Sequence, residues 1–251
     1  MEHNRQTRIL EILTEHGKIE VVKLAELLGV SQVTARKDLD QLEEQRLILR
    51  EHGYALLRPK DDMNRRMAYH YEAKRRIAAL AAKAVRNGET VMVENGSCCA
   101  MLADELARSN RDITIITNSA FIANYIQKVP DVKIVLLGGD YQPQAQVMVG
   151  PIVKKCAEEY FVDKIFVGID GHLEHTGFTC ENRMRAEAAR DMARQANHVI
   201  VLTESEKFHA QSFVALFKTE EISAVYTDDQ IPEESEEVLE HAGIVVHKVK
   251  I

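Results

Sequence analysis

Residues 24–39 read LAELLGVSQVTARKDL, and this stretch decides how the first part of the chain folds. Apolar residues at helical spacing stop at Gly29 and Val30, which predict a tight turn between two helices. Ser31 is a good N-cap for the second helix because its hydroxyl accepts a hydrogen bond from a free backbone N–H group. The stretch is typical of a helix-turn-helix, whose second helix enters the major groove of DNA.

The flanking sequence extends this motif into a winged helix-turn-helix. Apolar residues at helical spacing also precede Gly17, a predicted C-cap, and two apolar triplets flank a short polar turn. The predicted helices are 6–16, 21–28 and 34–42, and the predicted hairpin strands are 47–49 and 55–57. We therefore predict a winged helix-turn-helix DNA-binding domain over residues 1–57, followed by a linker over 58–71.

Eight residues of this domain are candidates for DNA contact. Gln and Arg side chains read base edges through paired hydrogen bonds, Ser and Thr hydroxyls contact phosphates, and the small Ala35 leaves room for a thymine methyl group. Basic residues on the helix flank and the wing are expected to bind phosphates, whereas we expect Val33 and Leu39 to face the core. The candidates are Ser31, Gln32, Thr34, Ala35, Arg36, Lys37, Arg50 and His52.

The charge balance is unusual for a DNA-binding protein. The net charge is −7, and residues 1–60 hold ten Lys/Arg and ten Asp/Glu. DNA contact then depends on where individual cations lie rather than on a basic domain. The alternative is a winged domain that binds protein. The polar residues at the start of the third predicted helix favour double-stranded DNA as the partner instead.

The composition is that of an ordinary globular protein, with 45% hydrophobic and 28% charged residues. No apolar run approaches the ~20 residues that a membrane span requires. The N-terminus lacks the apolar segment of a signal peptide, so a cytoplasmic location without a membrane partner is expected. The four cysteines form no CxxC pair and are expected to fill tight space, so neither a metal nor another cofactor is predicted.

From residue 90 onward, short apolar strands alternate with helical stretches. This alternation predicts an α/β domain over 72–251 with a mostly parallel, doubly wound sheet. The predicted strands are 90–93, 113–117, 133–137, 164–168, 198–203, 224–226 and 244–247, and the predicted helices are 72–86, 99–107, 120–129, 152–159, 183–195 and 233–241. Ligands of such sheets bind beyond the carboxyl ends of the strands.

Small polar residues, glycines and charged side chains follow five of these strands. Backbone N–H groups at a helix start favour an anion, Lys207 adds a positive charge, and Asp170 and Glu187 are suited to hydroxyl groups. We therefore predict a site for a phosphorylated sugar or polyol effector. Its candidate residues are Glu94, Asn95, Gly96, Ser97, Cys98, Thr117, Asn118, Ser119, Gly138, Gly139, Asp170, Glu187 and Lys207.

Two other classes of function remain open at this point. Lys207, Asp170 and Glu187 suit acid–base chemistry in a sugar-phosphate isomerase-like enzyme, although such an enzyme has little need for a DNA-binding domain. His172 and His175, followed by Cys180, have the residue types of a metal or redox sensor, but we expect them in a polar surface loop. The cations of the connector couple ligand binding to DNA binding, contact phosphates or form a solvated basic face; they are Arg65, Arg66, Lys74, Arg75 and Arg76.

The residues from Val30 to Glu43 resemble the DeoR-type helix-turn-helix, whose signature is VS-x-x-T-x-R-(K/R)-DL-x-x-LE. The resemblance covers residues 5–57. It implies a DNA-binding transcriptional regulator of carbohydrate metabolism that represses an operon until a ligand binds. Arg46 and Tyr54 stand where the family usually has wing glycines, which implies a different wing conformation.

The second part of the chain is similar to the sensor domain of the same family, over residues 72–250. The matching motifs are Thr117-Asn118-Ser119, Gly138-Gly139, the 163–171 run DKIFVGIDG, Ala186-Glu187 and the 205–208 run SEKF. This resemblance implies a fold related to ribose-5-phosphate isomerase, and we expect a homo-oligomer because operator half-sites mirror protein symmetry. The family's Asp-x-Gly-Ser-Thr loop reads ENGSC at 94–98, which implies either a different ligand shape or weaker phosphate binding.

Overall fold

The structure is a computed structural model that describes residues 2–44, 47–57, 62–109 and 112–251. It divides into a first unit, Met1–Glu72, and a second unit, Ala73–Ile251. Within the described residues, no helix combines the length and apolar character needed to cross a membrane.

The first unit contains the predicted three helices and hairpin. Its elements are α1 (Glu2–His16), β1 (Lys18–Glu20), α2 (Val21–Leu28), α3 (Gln32–Glu44), β2 (Leu49–Glu51), β3 (Tyr54–Leu56) and α4 (Met63–Ala68). Strand β3 pairs antiparallel with both β1 and β2. Gly29 ends α2 in the left-handed region, with φ of 63°, which is why a glycine suits this turn. The winged helix-turn-helix prediction is confirmed.

A buried ion pair holds α3 against α1. Asp38 of α3 is completely buried, and Arg5 of α1 donates to both of its carboxylate oxygens through Nε and one terminal nitrogen. A buried carboxylate needs such a partner because its desolvation is costly. The pair therefore links α1 to α3 and neutralises the charge of the buried Asp38.

Part of the predicted linker is helical. Met63 and Met67 of α4 are buried, and the Asp62 side chain accepts a hydrogen bond from the Asn64 N–H at 2.8 Å. A six-residue helix is too short to show a clear 3.6-residue period, so the absence of periodicity was misleading here. Residues 58–61 of the predicted linker lie outside the described residues.

The second unit is built on a seven-stranded sheet. Its elements are α5 (Tyr71–Ala82), β4 (Thr90–Val93), α6 (Ser97–Arg108), β5 (Thr114–Thr117), α7 (Ala120–Ile126), β6 (Lys133–Leu136), β7 (Asp140–Gln142), β8 (Val147–Val149), α8 (Pro151–Ala157), β9 (Val162–Val167), β10 (Gly171–Leu173), β11 (Gly177–Cys180), α9 (Arg183–Ala193), β12 (Ala196–Leu202), β13 (Val214–Phe217), β14 (Ala224–Asp228), α10 (Glu233–His241) and β15 (Val245–Val249). Short 3₁₀ helices span Ser205–His209 and Thr219–Glu221.

The large sheet has the order β15-β14-β12-β9-β4-β5-β6, and every neighbouring pair is parallel. The doubly wound prediction is confirmed. From β4 the chain adds β5 and β6 on one side, and from β9 it adds β12, β14 and β15 on the other side. The boundary between β4 and β9 is therefore the switch point of the sheet. In open α/β sheets, ligands bind at such a switch point, beyond the carboxyl ends of the strands.

Two small antiparallel sheets were not predicted. One is the hairpin β7-β8, and the other has the order β10-β11-β13. Each strand has only three or four residues, too few for an alternating pattern to stand out. Gly171 begins β10 where a Cβ atom would come within 2.5 Å of the Ala210 carbonyl oxygen, so only glycine fits there.

Candidate functional site

The start of α3 is fixed by a hydroxyl cap. Ser31 Oγ accepts a hydrogen bond from the Thr34 backbone N–H at 3.1 Å and lies 2.9 Å from the Thr34 hydroxyl. The cap predicted at Ser31 is confirmed. It orders the end of the helix that contacts base edges in proteins of this architecture.

The outward face of α3 differs from the prediction at two positions. Ala35 is fully buried, and Val33 is 76% exposed. The buried stripe is Ala35, Asp38, Leu39 and Leu42, which follows the helical period, so Val33 falls on the opposite side. The prediction that Ala35 faces DNA and that Val33 faces the core is wrong because it followed side-chain character instead of helical phase.

Five other candidates at the start of this helix are accessible. Ser31, Gln32, Arg36 and Lys37 are exposed, and Thr34 is partly exposed. Their polar and cationic groups surround Val33. The structure therefore brings together five of the predicted contacts at the start of α3.

The wing is tied to α3 by an ion pair. The Arg50 guanidinium of β2 donates to the Asp40 carboxylate of α3. This predicted phosphate contact is therefore also a contact between the wing and α3. His52 is exposed at the hairpin turn with φ of 44°. Tyr54 is the first residue of β3, and its hydroxyl donates to Glu20 Oε1 at 2.7 Å. Lys18 Nζ lies 4.6 Å from the centroid of the Tyr54 ring. Arg46 lies outside the described residues.

In the second unit, two loops touch at the switch point. Glu94 follows β4 and accepts a hydrogen bond from the Gly168 N–H after β9, at 3.3 Å. A Cβ atom on Gly96 would lie 3.2 Å from the Gly168 Cα and 3.1 Å from the Cys99 Sγ. Glycines at both positions let the loops approach this closely. The site predicted at the strand ends thus contains a real contact between β4 and β9 loops.

The loop after β5 joins the loop after β4. The Ser119 hydroxyl donates to Asn95 Oδ1 at 2.6 Å and accepts from the Ile122 N–H at 3.1 Å, which caps α7. Thr117 Oγ1 accepts from the Ser119 N–H at 3.0 Å. We call residues 94–98, 117–119 and Gly168 the strand-end cluster. Hydrogen bonds within the chain position the Asn95, Thr117 and Ser119 side chains of this cluster.

In each of two asparagines of the strand-end cluster, one buried side-chain atom lacks a hydrogen-bond partner. Asn118 Nδ2 donates to the Met148 carbonyl at 3.0 Å, which leaves Asn118 Oδ1 as an acceptor. Among the described residues, neither this atom nor Asn95 Nδ2 has a hydrogen-bond partner. Buried polar atoms of this kind are rare in folded proteins. One donor and one acceptor match a hydroxyl group, which both accepts and donates.

A buried ion pair lies beside the cluster. Lys74 Nζ of α5 is 2.9 Å from Glu204 Oε1, and the side chains are only 3% and 6% exposed. Cys98 Sγ donates to Glu204 Oε2 at 3.4 Å. Burial raises the pKa of Glu204, but the charges of Lys74 and Lys207 outweigh burial and bring it to about 2. Burial and the Glu204 charge raise the pKa of Cys98, so it is a neutral thiol donor.

Lys74 and Glu204 were not predicted as site residues. Lys74 was grouped with surface cations, which is wrong because its side chain is buried. A signal was present in the sequence, since Lys74 is in phase with Ile77, Ala78 and Ala81 on the buried face of α5. Glu204 lies two residues beyond the end of β12, and the other candidates were sought at such strand ends.

Several candidates make contacts elsewhere. Asp170 Oδ2 accepts from the Glu181 N–H at 2.9 Å, and Glu187 pairs with Arg183 on its own helix at 2.8 Å. A Cβ atom on Gly139 would lie 2.7 Å from the Val149 carbonyl oxygen, so close packing explains this glycine; its neighbour Gly138 is exposed. Lys207 is partly exposed on the 3₁₀ helix and lies close enough to lower the pKa of Glu204.

His172 does not lie in a polar surface loop as expected. It is buried, with its ring centroid 4.8 Å from Phe178 and 5.5 Å from Phe208, and burial lowers its pKa. Cys180 donates to the Asn182 carbonyl at 3.2 Å. Within the described ranges, no group of three or more His, Cys, Asp or Glu residues is placed to hold a metal ion.

The DeoR C terminal sensor domain matches residues 69–229, which is more than half of the chain. The chain belongs to the DeoR family. The DeoR-like helix-turn-helix domain matches residues 5–59, so both parts of the structure correspond to domains of this family. The chain is a DNA-binding transcriptional regulator of the DeoR family.

Relatives in the DeoR family match over nearly the full chain. The HTH-type transcriptional repressor GlcR of Bacillus subtilis is 32% identical over 231 residues, which cover 90% of this chain and 88% of the relative. The glycerol-3-phosphate regulon repressor of Escherichia coli is 29% identical over 233 residues, 91% of each chain. Among solved structures, ribose 5-phosphate isomerase A of Methanocaldococcus jannaschii aligns over 55% of each chain with a TM-score of 0.42 and 21% identity.

Proposed function

We propose that this chain represses a carbohydrate operon and that a phosphorylated sugar or polyol, bound at the strand-end cluster, releases it from DNA. The observation that carries the ligand class is the buried, unsatisfied pair Asn95 Nδ2 and Asn118 Oδ1 at the switch point of the sheet. The names of two relatives, a repressor in Bacillus subtilis and a glycerol-3-phosphate regulon repressor in Escherichia coli, support the proposal of repression.

The phosphate is assigned to the start of α6. The Ala100 N–H donates to the Gly96 carbonyl at 2.8 Å, so the N–H groups of Ser97 and Cys98 precede the first helical bond and have no partner within the helix. Such groups, together with the helix dipole, favour an anion. Lys207 supplies further positive charge, whereas the charge of Lys74 is already balanced by Glu204.

Cys98 has a structural part in this proposal. Its thiol donates to Glu204, so the side chain that replaces the family's usual hydroxyl points to the buried ion pair. Phosphate binding at this loop then depends on backbone N–H groups and the Ser97 hydroxyl. This is consistent with a ligand whose shape differs from those of relatives with a threonine at this position.

The regulator is proposed to act in the cytoplasm as a homo-oligomer without catalysing a reaction. Symmetric half-sites of an operator require at least two copies of α3. Two candidates for acid–base chemistry, Asp170 and Glu187, are engaged by Glu181 and Arg183. An isomerase assay with each sugar phosphate that binds tests this point, and turnover would contradict it.

A thermal-shift screen tests the ligand class. We expect at least one sugar or polyol phosphate to stabilise the full chain, by about 2.7 kcal/mol at one hundred times its dissociation constant, and its unphosphorylated counterpart to stabilise it less. Asn95→Leu removes the unsatisfied donor and should weaken binding of this ligand by about 5- to 150-fold, the effect of about 1–3 kcal/mol for a lost buried hydrogen bond.

Ser119→Ala is the matched control. It removes the same Ser119–Asn95 hydrogen bond but leaves Asn95 Nδ2 in place. It should therefore weaken ligand binding less than Asn95→Leu does. Equal ligand affinity in the wild type and Asn95→Leu, or no stabilisation by any compound in the panel, would contradict the proposal.

A further inference from the structure

One apolar side chain in the first unit is almost fully exposed at the start of α3. Val33 is 76% exposed, compared with 46% for Val22 and 53% for Leu27 on α2. Valine is also a weaker helix former than the alanine or glutamate that would suit a solvated position. Neither packing in the core of the unit nor helix stability accounts for a valine at this position.

The residues around Val33 indicate which kind of partner covers this face of α3. Arg36 and Lys37 follow Val33 by three and four residues and are exposed, so they lie on the same side of the helix. Gln32, at the first position of α3, is exposed beside them. The cations favour nucleic acid as the surface that covers Val33, and the start of a recognition helix is the part that reaches base edges.

The major groove offers one apolar group to such a side chain. Thymine carries a C5-methyl group there, whereas the other base edges present hydrogen-bond donors and acceptors. We propose that Val33 contacts a thymine methyl group and makes this DeoR family regulator select thymine at one position of each half-site. Ala35 cannot take this role because it is fully buried. The inference rests on the proposed operator binding.

The test removes only the methyl group. Sites that the full chain selects from random duplex DNA are resynthesised with each thymine replaced in turn by deoxyuridine, and dissociation constants are measured. At one position in each half-site, the wild type should bind about fourfold more weakly without the methyl, the effect of burying one such group. Val33→Ala should bind the thymine and deoxyuridine sites equally.

Val22→Ala is the matched control, since it shortens another exposed valine of the first unit and should keep the wild-type ratio between the two sites. An unchanged ratio in Val33→Ala, or no methyl dependence in the wild type, overturns the inference while leaving operator binding intact. A Val33→Ala variant that alters the oligomeric state and keeps the wild-type ratio assigns Val33 to a protein interface and also overturns it. Failure to select any DNA sequence overturns the proposed function as well.

Discussion

Replacing Lys74 with methionine is expected to lower the free energy of unfolding of the second unit by about 3–5 kcal/mol. The substitution keeps most of the side-chain volume but leaves the Glu204 carboxylate buried without its cation. An uncompensated buried charge is far more costly than a missing surface ion pair. Urea unfolding of the full chain, followed by circular dichroism at pH 7, measures the effect.

The double variant Lys74→Met/Glu204→Gln is the control. It removes both charges, and replacement of a whole buried ion pair is often close to neutral, so it should regain most of the lost stability. If the single and double variants were equally unstable, lost packing of Lys74 rather than the unpaired charge would be the cause.

The same pair predicts how acid affects stability. The pKa of Glu204 is lowered to about 2 in the folded chain from an ordinary value of 4.5. A lowered pKa contributes stability that is fully present above the unfolded value and lost as the pH falls through the folded value. The stability difference between the wild type and Glu204→Gln should therefore shrink between about pH 5 and pH 2.

Replacing Arg36 with alanine is expected to weaken binding to a selected DNA site by about 5- to 150-fold, the range for loss of about 1–3 kcal/mol from a paired base contact. Arg36 is exposed on the face of α3 that carries Gln32 and Val33. Binding to random DNA should fall much less. Fluorescence anisotropy with both DNAs measures the two affinities.

Lys37→Ala is the comparison. A lysine that binds a phosphate contributes to every sequence, so its loss should weaken both DNAs similarly and reduce the slope of log affinity against log salt by about 1. Both side chains are exposed, so thermal melting should match the wild type. An Arg36→Ala variant that loses affinity equally for both DNAs would make Arg36 a phosphate contact.

The sequence predicted the start of α3 correctly but not which of its residues face the core. The turn at Gly29 and the cap at Ser31 depend on local chemistry, and both are confirmed. The orientation of Ala35 and Val33 depends on which stripe packs against α1, and Asp38 belongs to that stripe because Arg5 neutralises it. A buried aspartate does not register as a core residue in a hydrophobic pattern.

The strand-end cluster was likewise predicted only in part. Strand ends were predictable from alternating apolar and polar segments, and residues 94–98 and 117–119 do meet. Lys74 and Glu204 were missed because their contact joins positions far apart in sequence and pairs two charges inside the protein. Asp170 and Glu187 have suitable chemistry, but their partners, Glu181 and Arg183, emerge only from the folded chain.

Coupling between the two sites is tested most directly by one binding measurement on the full chain. The dissociation constant for a selected DNA site is measured during titration with the sugar phosphate that stabilises the protein. We predict that saturating ligand weakens DNA binding by about 5- to 150-fold, and that DNA weakens ligand binding by the same factor. A dissociation constant for DNA that stays unchanged at saturating ligand would contradict ligand control of this regulator.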